Sequence, residues 1–116
     1  MTPISTDRDR LALAFAELNR HGILARGDLA ASTREAHALL RQHLARLYPH
    51  GMGSYVFWQA GEDRFDADGA LTSALPLHCS AYNVSIAVAA ACSTAGLIAH
   101  PDGRATMLRL TPAHAR

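Results

Sequence analysis

The chain has 116 residues, 49% of them apolar, and a formal net charge of +1. That length suits one domain whose core is large enough to fold without a disulfide or metal staple, and it excludes a second independent core. The near-neutral balance lacks the basic excess on which duplex nucleic-acid binding depends, and the apolar content excludes a disordered chain.

In chain order, residues 6–21 carry Leu11, Phe15 and Leu18 at helical spacing, with Ser5 or Thr6 as cap and Gly22 as stop. Ile23–Leu29 is expected as a short strand. Ser32 and Glu35 have capping-box spacing, and Ala36, Leu39, Leu40, His43, Leu44 and Leu47 form one helical face, with His43 expected at the core or its boundary. The helix stops before Pro49 and Gly51. Tyr55–Ala60, rich in aromatic and β-branched residues, reads as a strand. Ala70–His78 reads as a weaker one, and Pro76, which has no N–H, places that end at an edge or bend. Asn83 is expected to cap a third helix that runs to Ala95, is buried on most sides and carries a stripe of Val84, Val88, Ala91 and Ala95. Leu97–His100 and Thr106–Leu110 flank Pro101-Asp102-Gly103, a turn sequence, and so form a C-terminal hairpin.

The order α-β-α-β-β-α-β-β, with adjacent strands joined by short turns, predicts a single two-layer α+β domain over residues 1–116. Its sheet is expected to be largely antiparallel, with helices covering one face, and residues 1–5 and 112–116 are expected as loose termini. The two cysteines, and an N-terminus without an apolar targeting segment, fit a reduced cytoplasmic protein. The longest apolar run, Val84–Cys92, is too short to cross a membrane.

Charge is unevenly placed. Arg34, Arg41 and Arg46 face Glu35 alone over residues 31–47, whereas Glu62, Asp63, Asp66 and Asp68 gather around Arg64. An EF-hand alignment on Gly69 puts Asp66 and Asp68 at its third and fifth positions, but Arg64 and Leu75 occupy two essential ligand positions. DADG is therefore expected as a turn, its carboxylates solvated, with no metal and no cofactor. His78 and Cys79 precede the third helix. A thiol at a helix N-terminus can become a nucleophile, which makes Cys79, with His78 as base, the weak catalytic candidate. Cys92 is expected in the core. The histidines form no HExxH, and phosphate-binding and nucleophile-elbow motifs are absent. Tyr55, Phe57, Trp58 and Tyr82 are expected as core residues rather than a base-stacking platform, for want of a basic patch.

Three stretches, Ala14–Arg26, Tyr55–Asp63 and Ala87–Leu110, resemble a small bacterial family of unknown function. That family carries a CC-x-x-C cluster after its first strand; the corresponding positions here are Ala31, Ser32 and Glu35. Its His-Gln-Gln-Asp falls near Gln59, Ala60, Gly61 and Glu62. The resemblance implies an α+β scaffold from which a metal or thiol site has been removed.

A complete core pattern beside an incomplete catalytic set points to a non-catalytic protein-binding module, a regulator or inhibitor. Its contacts would be Arg34 and Arg41 together with Glu62, Asp63 and Asp66, or a sheet edge through which the protein self-associates. The alternative is a small cysteine-dependent enzyme centred on Cys79. No nucleic-acid or membrane partner is expected.

Overall fold

A computed structural model describes residues 6–47, 53–104 and 106–112. The order is α1 (Asp7–Arg20), β1 (Ile23–Leu29), α2 (Thr33–Leu47), β2 (Ser54–Gln59), a short 3-10 helix (Ala60–Glu62), β3 (Leu75–Cys79), α3 (Tyr82–Thr94), β4 (Leu97–Pro101) and β5 (Met107–Pro112). The class and the element order are those of the sequence pattern. Thr6 accepts from the Asp9 amide and Asp9 from the Thr6 amide, a capping box that starts α1. The Ser32–Glu35 box starts α2 in the same way, with bonds of 3.2 and 3.3 Å. Residues 1–5 and 113–116 lie outside the described residues, but Pro112, expected in the loose end, pairs with Leu97.

The strands form one sheet in the order β1-β2-β3-β5-β4. β1 and β2 run parallel, joined by the crossover through α2, and the other pairs are antiparallel. Strand alternation sends Ala25, Val56 and Trp58 into a core with α1, α3, Leu75, Leu77, Cys79, Leu108 and Leu110. The intervening Leu24, Tyr55 and Phe57 pack on Ala36, Leu40 and Leu44 of α2 instead. Helices therefore lie on both faces of the sheet, not on one. α1 and α3 back one face, and α2 covers only the β1–β2 half of the other. The reason is that β2 is apolar at every position from Tyr55 to Trp58, so neither of its faces can be left in water.

Four local expectations are corrected. Pro76 lies in a central strand. The bonds Ser80 N–H to Tyr55 O and Cys79 N–H to Thr106 O set the parity of β3, so residue 76 directs its nitrogen toward β2. The β2–β3 pairing spans only Val56–Cys79 and Phe57–His78, so no ladder bond is lost at Pro76. Ala81, not Asn83, stands at the N-cap of α3, and α3 is buried on one side only: Val84, Ser85, Val88 and Cys92 face the core while Tyr82 and Ile86 are exposed. His43 is exposed, because α2 buries a narrower stripe than its apolar face offers.

The edge strand β1 is protected. Ala25 donates its N–H to Asn19 Oδ1 at 2.9 Å, and Asn19 Nδ2 donates to the Ala25 carbonyl at 3.2 Å, so one amide side chain occupies both edge groups. Further along, β1 bulges between Arg26 and Leu29. Gly27 sits there because a Cβ would lie 2.5 Å from Trp58 Nε1. Replacing Asn19 with Ala removes two hydrogen bonds and opens that edge. The expected cost is about 1–2 kcal/mol, measured as a lower urea midpoint with an unchanged slope.

Candidate functional site

α2 has two different sides. Arg34, Arg41 and Arg46 are all exposed on it, and none of them forms an ion pair among the described residues; Arg41 lies on the flank toward β2, where it lines a crevice with Leu44, Tyr55 and Ser80. Leu39, on the flank that carries Arg46, and Leu47, at the end of the helix, are each 55% exposed. Glu35, the acid nearest these arginines in sequence, is committed to the helix cap, and its bonds to Ser32 hold its carboxyl below the usual range.

The inward side is tied to the sheet by polar groups. His37 Nδ1 is hydrogen bonded to the Tyr55 hydroxyl. Thr33 Oγ1 donates to Gln59 Oε1 at 2.9 Å, and Gln59 Nε2 donates to the Ala31 carbonyl at 2.7 Å. Phe57 is the floor of this cluster: His78 stacks on it at 4.8 Å, and the edge of His37 meets it at 5.0 Å. His78, buried beside Phe57, bonds Glu62 Oε1 through Nε2 at 3.0 Å. Burial first, and then the positive charges of His78 and Arg41, lowers the pKa of His37 from 6.5. Burial raises that of Tyr55. Each imidazole is thus held by one oxygen. The set orients α2, and among the described residues no hydroxyl or thiol nucleophile is bonded to either ring other than the Tyr55 phenol.

The acidic stretch is a clamp. Asp66 Oδ1 accepts from the Asp68 and Ala70 amides at 2.9 and 3.0 Å, and Gly69 takes a φ of 84° to close the turn. Asp63 pairs with Arg8 at 3.2 Å and accepts from the Phe65 amide. Arg8 lies 4.7 Å above the Phe65 ring and 5.9 Å from that of Trp58. The turn docks on the start of α1: Arg8 donates its N–H to Gly69 O, and the buried Asp7 accepts from the Leu71 amide at 2.8 Å while pairing with Arg10. The expected turn is present, but Glu62 and Asp63 are not simply solvated carboxylates. Asp7 and Arg8, which hold the clamp, carried no sequence signal beyond their place at a helix start.

The proposed partner residues are therefore not brought together. Glu62, Asp63 and Asp66 are engaged internally, while Arg34 and Arg41 remain open on α2. His78 and Cys79, adjacent in sequence, point to opposite faces of the sheet. Cys79 lies in the α1–α3 core within β3, not on a helix, and burial pushes its thiol up to about 12, as it does that of Cys92. At the positions of the CC-x-x-C cluster, Ala31 supplies a carbonyl to Gln59, and Ser32 and Glu35 form the cap. Among the described residues, no group of His, Cys, Asp or Glu is arranged to hold a metal ion, and no helix is long and apolar enough to cross a membrane.

A family described as a domain of unknown function, DUF6891, matches residues 2–114. No curated protein and no solved structure matches the chain.

Both thiols should resist a disulfide reagent at about pH 8 in the native protein and react at once in denaturant, because the thiolate is the reactive form. Rapid native labelling of Cys79 would restore it as a nucleophile. For His37, the unfolded chain takes up a proton at higher pH than the folded one. Stability should therefore fall as the pH drops below 6.5 toward the lowered folded value, and this contribution should not change further beneath it. Thermal melts between about pH 7.5 and 5.5 should show a smaller acid-side loss for His37→Gln than for the unsubstituted chain.

Proposed function

Since the chain belongs to the DUF6891 family, whose function is unknown, we propose that it is a non-catalytic protein-binding module that uses the outward side of α2. One observation carries this reading: Arg34, Arg41 and Arg46 are exposed along α2 and lack internal ion-pair partners among the described residues. Unpaired guanidinium groups suit carboxylates, and the exposed Leu39, on the flank that carries Arg46, suits an apolar anchor. The partner is then an acidic protein segment carrying one or two apolar side chains. A regulator or inhibitor of a larger protein works in this way, with binding as its whole activity.

The polar ties beneath α2 support this use. They hold the helix in one orientation, so a partner meets a preformed surface. The acidic residues act in the clamp rather than at the contact. Both cysteines are buried and free, as suits a reducing cytoplasmic compartment. The alternative, a cysteine-dependent enzyme, would need Cys79 to leave the core and lose a proton that burial holds on it.

Affinity capture with the unsubstituted chain and with the Arg34→Glu/Arg41→Glu variant tests the proposal. Proteins retained by the first at low salt should be lost or bound about tenfold more weakly by the second, and their retention should fall as salt screens the contact. Equal retention by both chains would remove α2 as the contact surface.

A further inference from the structure

No Asp, Glu, Lys or Arg occurs between Asp68 and Asp102, a span that contains β3, α3 and β4. β3 is interior, so α3 and β4 present this uncharged sequence at one end of the sheet. Tyr82 is 63% exposed and Ile86 55% exposed. They line a crevice of about 130 Å³ with Ala99 and Pro101 of β4 and with Arg104 beyond it, so the apolar side of α3 adjoins the sheet edge. Ile98, on the opposite face of β4, is also exposed.

The edge is open where this surface meets it. Asp102 donates its N–H to Met107 O, which sets the parity of the β4–β5 ladder. Ile98 and His100 therefore turn their backbone groups toward β5, and Ala99 turns its N–H and C=O outward. Leu97 is fully buried, so the accessible edge is Ile98–Pro101. At the other edge Asn19 occupies the corresponding groups of Ala25. Among the described residues, one edge is closed and the other is left open beside an apolar helix.

We propose that two copies of this chain associate through β4 and α3 about a two-fold axis near Ala99. The two β4 strands pair antiparallel, each Ala99 N–H donating to the Ala99 carbonyl of the other copy, and the sheet continues across the dimer. Tyr82 and Ile86 of one α3 pack against their counterparts. The charge pattern selects a second copy as occupant. At a two-fold each side chain lies close to its own equivalent, so an ionised group on the axis would meet its like. α3 and β4 carry none; beyond β4, Arg104 lines the crevice and Arg109 is paired with Asp102 at 3.3 Å. A basic partner would find no unpaired counter-charge here among the described residues and an acidic one only Arg104, against three arginines on α2.

Sedimentation or light scattering over a concentration series tests this. The unsubstituted chain should approach twice its 12.4 kDa mass as concentration rises. Ala99→Pro removes an outward N–H that β5 does not use, and Ile86→Glu places like charges at the interface without touching the core. Each should weaken dimerisation about tenfold or more while circular dichroism stays unchanged. If Ala99→Pro does not fold, Ile86→Glu decides alone. A monomer at every concentration, or a dimer that survives Ile86→Glu, would overturn the proposal. Because α2 takes no part, Arg34→Glu/Arg41→Glu should dimerise normally, which separates this test from that of the partner surface.

Discussion

The structure depends on burying both faces of β2. Tyr55, Val56, Phe57 and Trp58 are apolar in succession, and at most 5% of any of them is exposed. A strand of this kind needs a layer on each side. Val56 and Trp58 take α1 and α3; Tyr55 and Phe57 take α2. The parallel β1–α2–β2 crossover follows, since it carries a helix to the face that α1 and α3 do not reach. α2 packs on β1 and β2 only, which leaves the β3–β5–β4 half of that face without a helix among the described residues.

Polar groups serve this layering. His37, Thr33 and Gln59 anchor α2, and Glu62 completes the hydrogen bonding of buried His78. On the other side Asp7, Arg8, Arg10 and Asp63 fasten the long β2–β3 connection to the start of α1. These groups are partly or wholly removed from water, where an unpaired donor or acceptor is costly. Once their partners are counted, Glu62 and Asp63 are engaged internally, while Asp66 and Asp68 stay exposed without a paired cation among the described residues. The exposed arginines of α2 form no ion pair among the described residues, which leaves that surface positive. The charge-free α3–β4 end lies apart from it. One region suits an oppositely charged partner and the other suits its own copy, so the two contacts need not compete.

Local chemistry was legible wherever a few neighbouring residues decide the outcome. The Ser32–Glu35 cap, the limits of β1, the Asp66–Gly69 turn and the Pro101–Gly103 hairpin rest on side chains bonding nearby backbone or on the φ that glycine permits. His43 and Asn83 misled because periodicity and capping preference name residues able to take a position, while packing decides which do. Pro76 misled because its cost depends on whether a neighbouring strand needs its N–H, and β2 has already ended its pairing there.

The candidate surface was half legible. Arg34 and Arg41 could be placed on one helix from their spacing, but the fate of Glu62, Asp63 and Asp66 could not, because their partners His78 and Arg8 are distant in sequence. The sequence alone determined the α+β class, the order of elements and the uncharged span from β3 to β4, since these follow from periodicity, turn chemistry and composition. Only the tertiary structure decided that α2 lies across the sheet from α1 and α3, that Cys79 is turned away from His78, and that one sheet edge is closed while the other stays open. Each of those outcomes depends on which residues meet across long separations in the chain, and no local free-energy preference encodes such a meeting.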